Sequence, residues 1–304
     1  MVALAVFLIT IGVWTATQSI IPSEQMQKYP ISIIDDLNRV VNISETPERI
    51  VSLSPNNTEI LFALGLENKI VGVTNYCDYP QEAKNKENIG GFSTPSVEKI
   101  VALMPDLVLA DDIHKDIINE QMQSLGLTIV VISPESINGI LDSIRLVGQI
   151  TESTGAAEKL ILDMEHRINK ITDKTKNLSD SQKTKVFFVI WIDPLMTFGP
   201  NTYGNEIIQL VGGVNIAVDA TTEYPIYNME VLVERNPDVI IVSTLHGLGV
   251  TADGVKIMLA GKNIAAVANN RIHSIDASLI DRAGPRVVEG LEAAIRYVHP
   301  ELLF

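Results

Sequence analysis

The chain has 304 residues, of which 46% are hydrophobic and 20% charged, and its formal net charge is -14. That apolar share excludes a disordered chain, and the length accommodates two domains. The acidic balance argues against a nucleic-acid partner, which needs basic patches, and the single cysteine, Cys77, excludes an intrachain disulfide.

No charged residue occurs from Met1 to Pro22. A run of about 20 uncharged residues is long enough to span a bilayer. Residues 1–22 are therefore expected to be a signal peptide or an N-terminal membrane anchor, which places the rest of the chain outside the cytoplasm. Residues 23–45 read as a polar tether with one short strand near Ile31–Ile34. The first lobe is expected over 46–136. Its first strand, Ile50–Ser54, stops at Pro55-Asn56-Asn57-Thr58, a turn and helix start. A helix at Glu59–Leu64 follows, then strands at Ile70–Val73, Leu107–Ala110 and Thr128–Ile132, with a helix over 115–125 between the last two. Strands alternating with helices predict βαβ units and a mainly parallel sheet.

From Ile137 to Thr175 there is no proline, and apolar residues recur at Ile140, Ile144, Val147, Leu160, Ile161, Met164, Ile168 and Ile171. Spacings of three and four predict one amphipathic helix of about 35 residues, about 50 Å long. It is read as a connector, 137–178, joining two lobes. The alternative is two helices with a turn near Gly155. The second lobe, 179–304, is predicted to carry strands at Val186–Ile190, Val239–Ser243 and Arg271–Ile275 and helices at Gly204–Leu210 and Gly284–Val298.

Two lobes are expected because the chain repeats itself. SVEKIVALMPDLVLAD (96–111) and NMEVLVERNPDVIIVS (228–243) align without a gap. Each has a glutamate at its third position (Glu98, Glu230), an apolar helical stretch, Pro-Asp (Pro105-Asp106, Pro237-Asp238) and a buried strand. A weaker echo relates the segments opening at Glu59 and Glu206, in the same order. Internal repeats fix architecture. The expected fold is α/β, with two similar lobes facing each other across a cleft.

Ligands of parallel α/β sheets bind beyond the carboxyl ends of the strands. Aromatic residues make up only 5% of the chain, yet Tyr76, Tyr79, Phe92, Trp191, Phe198, Tyr203, Tyr224 and Tyr227 fall in the segments after strands. Such a cleft suits a large, flat, partly apolar ligand. No nucleophile elbow, phosphate loop, dinucleotide fingerprint or zinc-protease motif is present, so no catalytic residue is assigned. The five histidines lack metal-ligand spacing, so no metal site is assigned. His166 and His299 are expected at the surface and His273 in a strand, whereas His114 and His246 follow strand ends and are candidates to meet a ligand. A zinc or manganese carrier would need three or four such groups converging, and a metallocluster enzyme of similar build would need cysteine or histidine ligands.

Four segments bring the chain close to a known family: Arg49–Glu59 (RIVSLSPNNTE), Gly72–Pro80 (GVTNYCDYP), Glu98–Val108 (EKIVALMPDLV) and Arg282–Arg286 (RAGPR). From about Arg49 to Pro300 the chain resembles the substrate-binding proteins of ABC importers for cobalamin and iron-siderophores, the group with a long connecting helix. It looks most like the cobalamin branch. The resemblance implies a monomeric, extracytoplasmic binding protein without a resident cofactor. Its ligand would be a corrinoid or, in the siderophore and haem binders of the same fold, an iron chelate. By position, Tyr76, Phe92, Met196 and Tyr224 would sandwich the corrin. The branch usually has tryptophan at Phe92 and Tyr224, an aromatic at Met196 and, in the enterobacterial relative, tryptophan at Leu279. Trp191, Arg282 and His246 complete the expected ligand-binding set. The resemblance also implies that Glu98 and Glu230 dock onto permease arginines. The bland alternative is that an acid in a first helical turn is favoured by the helix dipole.

Overall fold

The computed structural model describes residues 29–244 and 250–303. The expected anchor, 1–22, the start of the tether and His246 lie outside the described residues. Among those described, no helix is long and apolar enough to cross a membrane.

The chain enters through an antiparallel hairpin, β1 (Ile31–Ile34) and β2 (Val40–Ile43). The first lobe is then built on β3 (Ile50–Ser52), β4 (Ile70–Val73), β5 (Glu87–Asn88), β6 (Leu107–Ala110) and β7 (Ile129–Val131). These lie in the order β5-β4-β3-β6-β7, every pair parallel. The second lobe holds β8 (Thr184–Val189), a small hairpin of β9 (Trp191–Ile192) and β10 (Leu195–Met196), then β11 (Gly213–Asn215), β12 (Val239–Thr244) and β13 (Ile272–Asp276). Its parallel sheet runs β11-β8-β12-β13. In both sheets the chain moves outward on one side and returns on the other, between β3 and β6 and between β8 and β12. Crevices open at such reversals, beyond the carboxyl ends of the strands.

The sequence repeat is a structural repeat. Helix Val97–Ala102 leads into β6, and helix Met229–Arg235 leads into β12. Each helix is followed by a residue in the left-handed region, Met104 (φ 46) and Asn236 (φ 47), and then by Pro-Asp. The Asp106 carboxylate accepts from the amides of Glu48 and Arg49 at 2.8 and 2.9 Å. That of Asp238 accepts from the Lys185 amide at 2.9 Å. Each aspartate thus fixes the start of the neighbouring strand, β3 or β8, and with it the register of the sheet.

The expected helix of about 35 residues is interrupted. Ile137–Ile150 and Thr154–Thr175 are separate helices, with Glu152 between them at φ 58. The Thr151 hydroxyl turns back onto the Val147 carbonyl at 2.6 Å, and the Ser153 amide donates to the Gly148 carbonyl at 2.7 Å. The break precedes Gly155, and a different glycine makes the junction. A Cβ at Gly148 would lie 2.4 Å from that of Ala157, so only glycine lets the two helices approach this closely. The apolar period runs across the break because both helices bury a face in one core. The second helix, about 33 Å long at 1.5 Å per residue, packs along the closing helix Val287–Val298, where Arg167 pairs with Glu292 at 2.8 Å.

Strand alternation divides the core into three. Val51, Val108 and Val131 face a layer confined to the first lobe, and Phe187, Ile240 and Val242 one confined to the second. Ile50, Leu107 and Leu109 join Val186, Phe188 and Ile241 in a single layer that also holds Ile140, Ile161 and Leu291 from the connector and closing helices.

Candidate ligand-binding cleft

The strand-end segments of both lobes converge on a cleft of about 500 Å³. The first lobe contributes Pro55 and Asn56 after β3, Tyr76 after β4, Phe92 after β5, Asp111 and Asp112 after β6, and Ser133, Pro134 and Glu135 after β7. The second contributes Asn201, Thr202, Tyr203, Glu223, Tyr224, Asp281, Arg282 and Ala283. Tyr76 is 57% and Tyr224 47% exposed, so both are accessible to an incoming molecule. Tyr224 is backed by Phe198, with centroids 6.2 Å apart, and Phe198 is backed in turn by Phe188 and by the buried Tyr203. Burial pushes the Tyr203 hydroxyl well above its usual range, so it stays neutral.

Four expected ligand residues, Tyr76, Phe92, Tyr224 and Arg282, line this cleft. Three do not. Trp191 and Met196 face each other across the β9–β10 hairpin, where the Trp191 indole donates to the Asp193 carbonyl at 2.8 Å. Leu279 packs partly buried against the shared core. His114 follows a strand end as expected but turns inward and is fully buried. Its Nδ1 accepts from the Asp111 amide at 3.0 Å, and its Nε2 lies 2.7 Å from the Phe92 carbonyl. The ring also meets the Phe92 ring edge-on at 5.4 Å. Burial lowers its pKa, so a neutral imidazole holds the Phe92 loop in place instead of touching ligand. His299, expected at the surface, is buried because its ring ties the Gly212 carbonyl (3.0 Å) to Glu301 (2.7 Å). His273 stacks on Tyr297. No group of three or more His, Cys, Asp or Glu residues suited to a metal ion occurs among the described residues.

An ionic latch joins the lobes beside the cleft, where it shares Arg282 with the lining. Glu59, on helix Pro55–Ala63 of the first lobe, is buried. It receives Arg286 through two contacts, Nε to Oε2 at 2.9 Å and Nη2 to Oε1 at 2.6 Å. Arg282 reaches Glu59 at 3.2 Å, Asp78 at 2.7 Å and the Tyr76 carbonyl at 3.3 Å. The Arg286 guanidinium also lies 3.7 Å from the centroid of the Tyr79 ring. Gly284 lies against the Asn56 backbone at this meeting of the lobes. Motif resemblance singled out RAGPR and SPNNTE separately; only the fold shows that they grip each other.

Sequence reasoning missed the acids of the cleft. Asp111 is pushed up to about 7 by burial and by its neighbour Asp112. Asp281 is open to cleft solvent but enclosed by both lobes, and burial pushes it up to about 6 although the Ser243 hydroxyl donates to it at 2.8 Å. Their one signal in the sequence is position: Asp111 directly follows β6, and Asp281 follows the short helix Ala277–Ile280 that succeeds β13. Glu98 and Glu230 stand in equivalent places on the two lobes. Both are exposed, in the first turns of helices capped by Ser96 and Asn228.

Comparison with known proteins agrees with this geometry. A periplasmic binding protein family model matches residues 50–279. An uncharacterized ABC transporter substrate-binding lipoprotein of Bacillus subtilis is 33% identical, over 91% of this chain and 88% of its own. The periplasmic vitamin B12 binding protein of Vibrio cholerae superposes with a TM-score of 0.71 at 27% identity, covering 85% of this chain and 99% of that one. A periplasmic heme-binding protein from Roseiflexus gives 0.74 at 28%, covering 84% and 99%. Two parallel-sheet lobes, a helical connector and a cleft across the strand ends are thus joined to a match spanning most of the chain, and the chain belongs to the periplasmic binding protein family.

Proposed function

We propose that this protein is an extracytoplasmic substrate-binding protein that captures a corrinoid and delivers it to an ABC importer. The observation that carries the reading is the cleft itself, walled by Tyr76 and Phe92 from one lobe and Tyr224 from the other. Aromatic faces on opposite sides suit a flat macrocycle held between them. The likeness to the Vibrio cholerae vitamin B12 binding protein and the quoted cobalamin-branch motifs support the corrinoid. The absence of catalytic motifs and the kinship to transport proteins support binding without turnover. The uncharged residues 1–22 would supply export or anchoring, and Glu98 and Glu230 would meet the permease, one on each lobe.

A second reading, haem or a ferric chelate, is favoured by the likeness to the Roseiflexus protein. Titration of the chain lacking residues 1–22 with cobalamin, cobinamide, haem and a ferric siderophore, followed by absorbance and calorimetry, separates the two. One-to-one binding of cobalamin and cobinamide is expected. Heat only from an iron chelate would replace the corrinoid and leave the transport role standing.

A further inference from the structure

Charge inside the cleft is strongly one-sided. Asp111, Asp112, Glu135, Glu223 and Asp281 all line it, and Arg282 is the one cation among its described lining residues. Arg282 is already shared between Glu59 and Asp78. The acids come from both lobes, two after β6, one after β7 and two from the facing loops of the second lobe. A bound molecule is therefore flanked by carboxylates on both sides. No salt bridge joins any of the five to a cation among the described residues, and Arg282, the lining cation, favours only the ionised form of Asp281. A cleft lined by one sign of charge focuses its field.

We propose that the cleft selects its ligand by charge, admitting corrinoids or metal chelates that are neutral or cationic at their periphery and rejecting those that carry free carboxylates. This inference rests on the reading of the cleft as the ligand site and narrows the class of ligand it takes. The aromatic walls contribute to binding through ring contact, which is blind to sign at a distance. The carboxylates supply the discrimination. An anion entering beside Glu135 and Glu223 meets like charge and finds no unshared guanidinium among the described lining residues. A cation or a periphery of amides meets acceptors, and amide N–H groups donate to carboxylates in charge-assisted hydrogen bonds. Burial and the neighbouring Asp112 raise Asp111 to about 7, and burial raises Asp281 to about 6, so the cleft already resists negative charge and an added anion would increase that cost.

The test uses ligands matched in shape and differing in charge. Cyanocobalamin, aquacobalamin and cobalamin with one peripheral amide hydrolysed to carboxylate form one series, from neutral to cationic to anionic. A ferric trihydroxamate with a free amine and the same chelate with that amine succinylated form another. Affinities are measured calorimetrically at low salt, where screening is weak. The neutral and cationic members are expected to bind at least about tenfold more tightly than their carboxylate partners, a floor between the roughly fivefold effect of one like-charge contact at about 4 Å in water and its much larger effect at the dielectric of a protein surface. The double variant Glu135→Gln/Glu223→Gln is expected to narrow that gap, and raised salt to narrow it further. Both side chains are solvent-accessible, so the variant keeps the fold. Equal affinity within a series that binds, a gap unchanged in the double variant, or preferential binding of haem with its two propionates would each overturn the inference. If only the hydroxamates bind, the corrinoid reading fails while charge selection is still decided within their pair. If no chelate binds, both fall.

Discussion

Replacing Glu59 with glutamine tests the ionic latch most directly. The Glu59 side chain is 2% exposed, and its partners Arg282 and Arg286 are 18% and 13% exposed. Removing one partner of a buried pair costs about 3–5 kcal/mol, because the remaining charge is left uncompensated. Arg282 keeps Asp78 and the Tyr76 carbonyl, so Arg286 bears most of the loss, and the lower end of the range, about 3 kcal/mol, is expected. With an unfolding entropy of about 2.1 cal/mol/K per residue over roughly 300 residues, that is a fall of about 5 °C in melting temperature. Calorimetry and urea titration of the apo protein provide the measurement. Asp78→Asn serves as contrast: Asp78 is 49% exposed, and its loss should cost at most about 1 kcal/mol. Combining Glu59→Gln with Arg286→Met should recover much of the stability, since no buried charge then lacks its partner. An unchanged or raised melting temperature in Glu59→Gln alone would refute the reasoning, showing that desolvation of the triad cancels its attraction.

The cleft tyrosines separate binding from folding. Tyr76→Ala and Tyr224→Ala should each weaken ligand affinity by about 0.5–1.5 kcal/mol beyond lost area and leave the apo melting temperature nearly unchanged. Lower apo stability at unchanged affinity would mark them as loop packing. Charge reversal at both proposed docking positions, Glu98→Arg with Glu230→Arg, should spare soluble affinity and abolish uptake, each single reversal doing less. Wild-type uptake by the double variant would leave the helix-dipole role as the sufficient one. Asp111 makes stability depend on pH in a definite direction. Its folded pKa, about 7, lies above the ordinary 3.8, so the folded state binds the extra proton and stability falls as pH rises between those values. Asp111→Asn should therefore be more stable than the parent at pH 8, with the gain fading toward pH 4. A gain independent of pH would point to packing instead.

Much of the fold was legible because strand and repeat signals are local. Ile70–Val73, Leu107–Ala110 and Val239–Ser243 read as strands from short apolar runs. The two-residue β5 and the β9–β10 hairpin have no run long enough to show a period. Pro-Asp could be aligned but not explained from sequence, since its carboxylates bind amides some fifty residues away in the chain. The connector misled because periodicity reports which face is buried and is silent about a three-residue interruption that keeps the face. Thr151-Glu152-Ser153 was a polar cluster in plain view, but Gly148 gained meaning only once Ala157 was seen against it. In the cleft, aromatic character marked Tyr76, Phe92 and Tyr224, whereas Asp111, Glu135 and Asp281 were masked by the many acids of an acidic chain. His114 looked like a ligand residue because sequence gives the position of a side chain and not its direction.

The apolar layer shared by both lobes and the connector has a consequence for how the molecule can be taken apart. Ile50 and Leu109 on one side and Val186 and Ile241 on the other are sealed by the same helices. Severing the chain at Glu152 would strip each half of part of its covering and leave bare hydrocarbon in water. The lobes should therefore melt together, in one calorimetric transition, although their sequences read as two copies. A hybrid that borrows a lobe from a relative to change its cargo must bring the connector and closing helices with it, or it will precipitate before it can be offered any ligand.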